Sequence, residues 1–205
     1  SEDSAEVSFI QLNHTVPPFN DVRMRRALAL ASDRDDVNRR VNAGLPTVAE
    51  GPFGPGSIGF LEDTGFPQYD IEAAKALLAE YQAENPEAET GFTISSTTDP
   101  AVKRIAELIQ QRASEVGIKI KIDVVEQAAL IDRAISKNYQ AMVFRNYPGG
   151  DPDINYVWWY GKGNPVNFGG WEDEELDKLL DAGRSETDPA KRKEIYQDVN
   201  RRMAT

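Results

Sequence analysis

The chain has 205 residues, 40% of them hydrophobic and 28% charged, with a formal net charge of −11. That length suits one large domain or two small ones and needs no staples to bury a core; the acidity argues against nucleic acid and against anionic membrane surfaces, both of which select for Lys and Arg. With no cysteine and one histidine, His14, the sequence excludes a disulfide framework, thiolate zinc, a Cys nucleophile and any site built on several imidazoles, so no cofactor and no metal is expected.

No apolar run approaches the ~20 residues of a membrane span, so no direct membrane insertion is expected. The start, Ser1-Glu2-Asp3-Ser4, is acidic and polar and does not read as a signal peptide. The expectation is either a cytosolic protein or an export signal outside this sequence.

Residues 7–13 alternate in part and read as a strand that Pro17 and Pro18 end. Asn20 is placed to cap a helix with Met24, Ala27, Leu28 and Ala31 on one face. Ser32 and Asp35 have capping-box spacing for a second short helix, closed by Gly44. Residues 44–69, rich in Gly and Pro, are a long loop. Asp70 then caps a helix carrying Ile71, Ala74, Leu78 and Tyr81. A strand follows at 92–97, and Asp99-Pro100 opens a helix with Val102, Ile105, Ala106, Ile109, Ala113 and Val116 inward, ended by Gly117. Ile118, Ile120, Ile122 and Val124 alternate with Lys119, Lys121 and Asp123, a strand with one wet face. Residues 127–137 are a short helix and 139–144 a strand. Two charged helices close the chain, one with Leu176, Leu179 and Leu180, the other opening at Asp188-Pro189 with Ile195, Val199 and Met203. Alternating strands and helices predict an α/β fold, a mixed β-sheet flanked by helices. No internal repeat or convincing linker divides the chain, so residues 1–205 are expected to form a single lobe.

Several blocks carry a resemblance. Pro18-Phe19-Asn20-Asp21-Val22-Arg23-Met24-Arg25-Arg26-Ala27-Leu28 runs on to Asp33-Arg34. Tyr69-Asp70 precedes Ala74-Lys75-Ala76-Leu77-Leu78. Glu115-Val116-Gly117-Ile118-Lys119-Ile120 ends a helix, Asp151-Pro152-Asp153 follows a strand, and Asn167-Phe168-Gly169-Gly170-Trp171 precedes Leu176-Asp177 and a helix with Arg192 and Tyr196. In this order, across nearly the whole chain, they resemble the peptide/nickel/oligosaccharide solute-binding proteins of ABC importers. The resemblance implies the C-terminal lobe, of periplasmic-binding-protein type II, of a longer two-lobed protein. It further implies a small-molecule or peptide ligand, ABC permease subunits as partners, and a place in the periplasm or on the extracellular face of the cytoplasmic membrane.

The segment 144–153 leaves a strand, turns through Gly149 and Gly150, and enters a helix at Asp151. Ligands in open α/β folds gather at the carboxyl ends of strands, and the resemblance places this loop on the cleft. Arg145 offers a rigid fork of donors and Tyr147 a flat face with a polar tip; plainer roles compete, a surface ion pair for Arg145 and a turn or cap for Asn146. Gly149 reads as a tight turn and Asp151 as a cap as much as a contact. Trp158 and Trp159 follow; as helical neighbours ~100° apart, only one readily points inward. Asn13 and His14 end the first strand and are placed to reach the cleft edge. Peptide-binding members of the family carry an aspartate shortly before Asp-Pro; Tyr147-Pro148-Gly149 holds no acid, and Arg145-Asn146 stands where a tryptophan is frequent. A sugar, an opine or another small polar solute therefore competes with a peptide. Glu172-Asp173-Glu174-Glu175 suits a helix start. A carboxylate hydrolase using Asp151 with Asp153 or Glu172 is a distant alternative, since the chain shows no nucleophile motif, metal cluster or phosphate loop; no enzyme is expected. A receptor-facing or chaperone role is compatible with the acidic surface.

Overall fold

The computed structural model describes residues 7–146 and 150–204. Its elements are β1 (Ser8–Leu12), α1 (Val22–Ala31), α2 (Arg34–Asn42), α3 (Ile71–Glu84), β2 (Phe92–Thr97), α4 (Pro100–Glu115), β3 (Ile120–Val125), α5 (Gln127–Ser136), β4 (Ala141–Arg145), a 3₁₀ turn Pro152–Asn155, α6 (Tyr156–Trp159), α7 (Glu174–Ser185) and α8 (Pro189–Ala204).

Aspartates start most of these helices, because a carboxylate just ahead of the first turn accepts from the orphan amides there, worth about 1 kcal/mol each. Asp70 accepts from the Ala73 amide at 2.9 Å, Asp99 from Ala101 and Val102 at 2.8 and 3.1 Å, and Asp188 from Ala190 and Lys191 at 2.9 and 3.0 Å. Two expected caps move by a residue. Asp21 rather than Asn20 caps α1, accepting from the Arg23 amide at 2.8 Å. Asp33 rather than Ser32 caps α2, and the Ser32 hydroxyl instead donates back to the Leu28 carbonyl at 2.6 Å. In both places the aspartate one residue later takes the position. Two strands also start later than expected, β3 at Ile120 and β4 at Ala141.

The sheet is four-stranded, ordered β1-β4-β2-β3. β2 runs parallel to β3, with Phe92 opposite Ile120 and Thr97 opposite Val125, and parallel to β4, with Ile94 opposite Ala141. β1 is antiparallel to β4: the Asn13 amide donates to the Gln140 carbonyl at one end, and the Asn146 amide to the Val7 carbonyl at the other. The sheet is therefore mixed, as the sequence predicts.

The chain forms two compact units. The first comprises Ile10–Pro46 and Pro67–Phe144. Its core joins Phe92, Ile94, Ala141 and Val143 of the sheet to Met24 and Leu28 of α1, Leu78 and Tyr81 of α3, and Ala106 and Ile109 of α4. Strand alternation sends Thr93 and Ser95 to the opposite face, where Arg133 of α5 donates to the Ser95 hydroxyl at 2.9 Å. Asp36 is buried between helices and accepts from Arg40 at 2.9 Å and Arg112 at 3.1 Å. Burial works to raise its pKa, but these guanidinium hydrogen bonds win and hold it below the usual carboxylate range.

The second unit comprises the described parts of Ser1–Phe9, Thr47–Phe66 and Arg145–Thr205. Phe53, Trp159, Leu176, Leu180, Tyr196 and Val199 form its core. Here the Gly- and Pro-rich loop is a packed component: Phe53 meets Trp159 and Tyr196 edge to face, at 5.6 and 6.0 Å between centroids. Asn200, fully buried on α8, donates to the Gly59 carbonyl at 3.0 Å.

Candidate functional site

The loop leaving β4 is pinned at its first residue. The Asn146 amide donates to the Val7 carbonyl at 3.1 Å, its side-chain oxygen accepts from the Val7 amide, and its side-chain nitrogen donates to the Pro52 carbonyl at 3.0 Å. One side chain thus ties three segments of the second unit together. Arg145, immediately before it, is exposed. Tyr147 and Gly149, the next expected contacts, lie outside the described residues.

The loop is pinned again at its far end. Asp151 accepts from the Asp153 amide at 2.9 Å and takes both ends of the Arg192 guanidinium at 2.7 and 2.8 Å. Arg192 also donates to the Gly183 carbonyl at 2.9 Å, so the same group holds α7, α8 and the loop. The guanidinium hydrogen bond keeps the Asp151 carboxyl below its ordinary range. Asp153 takes Arg184 at 3.0 and 3.2 Å, and the Arg184 guanidinium lies 3.6 Å from the centre of the Tyr156 ring. Tyr156 stacks on Tyr160 at 4.9 Å and donates to Asp181 at 2.7 Å. Both acids of the Asp-Pro-Asp segment are therefore engaged by arginines 31 and 41 residues away. Asp151, ionised and paired, is a poor proton donor, which leaves little chemistry for a carboxylate hydrolase.

The adjacent tryptophans divide as helical neighbours must. Trp159 is buried against Phe53, and its carbonyl accepts from the Trp171 indole at 3.0 Å. Trp158 is 38% exposed, its ring 5.3 Å from that of Phe168. Ile154 and Val157 are likewise exposed, at 44% and 46%, so the segment after the loop carries a partly apolar surface that residue-by-residue reading missed. Its signal was present: Ile154, Val157 and Trp158 fall at i, i+3 and i+4. Behind it, Asp177 of α7 is buried and accepts from the Gly161 and Lys162 amides at 2.6 and 3.0 Å, fixing the chain that follows α6.

Asn13 and His14 belong to the first unit. Asn13 is fully buried. Its side-chain nitrogen donates to the Lys137 and Tyr139 carbonyls at 3.0 and 2.9 Å, and its side-chain oxygen accepts from the Thr15 amide and hydroxyl at 3.1 and 2.7 Å. Two donors and two lone pairs are thereby committed to the protein itself. His14 is half-buried; desolvation, then the charge of Arg25, lower its pKa to about 4, so it is neutral at pH 7. Among the described residues no group of three or more His, Cys, Asp or Glu is placed to hold a metal ion, and no helix is long and apolar enough to cross a membrane.

The chain matches the family described as bacterial extracellular solute-binding proteins, family 5, middle region, over residues 1–168. It is 30% identical over 200 residues to the probable di/tripeptide-binding protein 5 of Pseudomonas aeruginosa, covering 95% of this chain and 38% of that protein. Among solved structures, HbpA2 from Haemophilus parasuis superposes with a TM-score of 0.89 at 28% identity, covering 98% of this chain and 41% of the other. AgaA of A. tumefaciens R10, solved in complex with agropinic acid, superposes at 0.84 and 26% identity, covering 98% and 42%. The chain thus spans about two fifths of the length of the proteins it matches.

Proposed function

This chain belongs to the bacterial extracellular solute-binding proteins of family 5, and we propose that it forms a single lobe of a longer two-lobed protein and supplies one wall of the cleft that captures a small polar solute. The work of such a protein is recognition, and no covalent step is assigned to it. The carrying observation is the loop after β4. Asn146, Asp151 and Asp153 are clamped within the protein, and Arg145 and Trp158 have exposed surface. The residues on either side of 147–149 are held by the protein, so a ligand there meets fixed neighbours. Arg145 offers charge-assisted hydrogen bonds and Trp158 a stacking face. Tyr147 and Gly149, between the clamps, complete the proposed lining, with Asn146 and Asp151 shaping it from behind.

The solute is then passed to ABC permease subunits at the outer face of the cytoplasmic membrane, in keeping with a family of extracellular proteins. Relatives named for di- and tripeptides favour a peptide. The composition of this loop favours a non-peptide solute: Tyr147-Pro148-Gly149 contains no acid to hold a peptide amino terminus, whereas Arg145 suits a carboxylate. The similar AgaA holds agropinic acid.

Mass spectrometry of small molecules released on denaturing the full-length protein, purified without stripping, tests the reading. A single acidic or sugar-like compound, bound more weakly by Arg145→Ala and Trp158→Ala proteins of unchanged stability, supports it. A peptide mixture assigns the peptide alternative. Full affinity in both variants removes this loop from the site.

A further inference from the structure

The first unit carries an open pocket of about 610 Å³ that the solute-binding reading does not use. It lies on the α5 face of the sheet, beside the beginnings of β2 and β4. Thr93, Ser95, Arg133, Lys137, Asn138 and Gln140 supply its polar lining. Its volume is in the range of small-molecule sites.

The charges are the informative part. In a chain of net charge −11, the strongly charged residues lining this pocket are both cations, Arg133 and Lys137. Arg133 lies in the last turn of α5 and Lys137 just beyond it, in the left-handed conformation, and both border the one pocket. The helix dipole favours cations in a last turn, which explains why they are tolerated. It gives their donors no partners. Arg133 uses one terminal nitrogen, on Ser95 at 2.9 Å and Asp123 at 2.7 Å. Its other two nitrogens have no partner among the described residues, and neither do the Lys137 ammonium and the Asn138 side-chain amide. Lys137 is half-exposed and borders the pocket. Gln140 is fixed, donating to the Pro17 carbonyl and accepting from the Thr93 amide, both at 2.9 Å, which gives the pocket a rigid floor.

We propose that this pocket is a second ligand site, for a short dicarboxylate, with one carboxylate on the free edge of Arg133 and the other on Lys137 and Asn138. A two-headed carboxylate can meet both cations at once; a single carboxylate meets only one of the two. Asp123, already paired with Arg133, sets the orientation of the fork and leaves its remaining edge for the ligand.

The test is calorimetric titration of the full-length protein with succinate, with acetate as the one-headed control. Succinate is expected to bind, acetate to bind at least tenfold more weakly, and Lys137→Gln to weaken succinate roughly tenfold, the loss of one charge-assisted contact. Lys137→Gln should melt like the parent, because the Lys137 ammonium has no partner among the described residues. Trp158→Ala should leave succinate binding as it was. No heat with millimolar succinate, equal binding of acetate, full binding in Lys137→Gln, or loss of binding in Trp158→Ala would each overturn the proposal, the last by placing succinate in the solute cleft.

Discussion

Replacing Asn13 by Asp exchanges one amide nitrogen for an oxygen and abolishes two hydrogen bonds. In the parent, the side-chain nitrogen donates to the Lys137 and Tyr139 carbonyls in a fully buried position. An aspartate sets a carboxylate oxygen against those carbonyls. Leaving a buried acceptor unpaired costs about 1–3 kcal/mol, so losing both bonds should cost about 3 kcal/mol at pH 7. Burial and the two carbonyl dipoles disfavour the ionised form, so the introduced carboxyl has a folded pKa above its unfolded value of about 3.9. The unfolded chain then binds fewer protons, and the stability of the variant relative to the parent falls as pH rises through that window. At pH 4 the introduced carboxyl, protonated in the folded state, donates to one carbonyl and recovers part of the loss. Urea denaturation at pH 4 and pH 7 measures both. A loss under about 1 kcal/mol at pH 7, or a penalty that grows as pH falls, would refute the reasoning; reduced solute affinity at full stability would make Asn13 a ligand contact instead of a clamp.

His14 should titrate with a midpoint of about 4 by NMR. Because the unfolded chain takes up that proton near 6.5 and the folded chain only near 4, stability should fall as pH drops across that window; a midpoint at 6.5 would show that the ring is solvated. Gly183→Ala should lower the melting temperature, although Gly→Ala inside a helix ordinarily stabilises by up to about 1 kcal/mol. The added methyl would stand 2.8 Å from the fully buried Tyr196 ring, an overpacking worth about 1–3 kcal/mol, and a higher melting temperature would contradict this packing. Trp159→Ala should cost about 3–5 kcal/mol of stability, as for a buried aromatic, against under about 1 kcal/mol for Trp158→Ala; thermal or urea melts showing equal losses would mean that the two rings do not divide between core and surface.

The Asp-Pro pairs, the apolar faces of α1, α3 and α4 and the strand pattern around Phe92 and Ile120 were readable from sequence because capping and helical or alternating periodicity act over a few residues, and the Asp21 and Asp33 caps were missed by one position because that same local rule admits several acceptors side by side. Trp158 and Trp159 show where it stops: helical geometry says that they part, and only the position of Phe53, from a loop a hundred residues earlier, decides which goes in. Asn13 read as a strand end placed toward the cleft edge, and the Lys137 and Tyr139 carbonyls that its side chain meets come from far along the chain. Asp151 was legible as a helix starter, yet its pairing with Arg192, like that of Asp153 with Arg184, joins residues far apart in the chain. Local backbone chemistry is written in neighbouring residues; the partner of a buried polar group, the face a ring turns and the meeting of Arg133 with Lys137, Ser95 and Gln140 in one pocket depend on segments distant in the chain, and those are set only when the cores close.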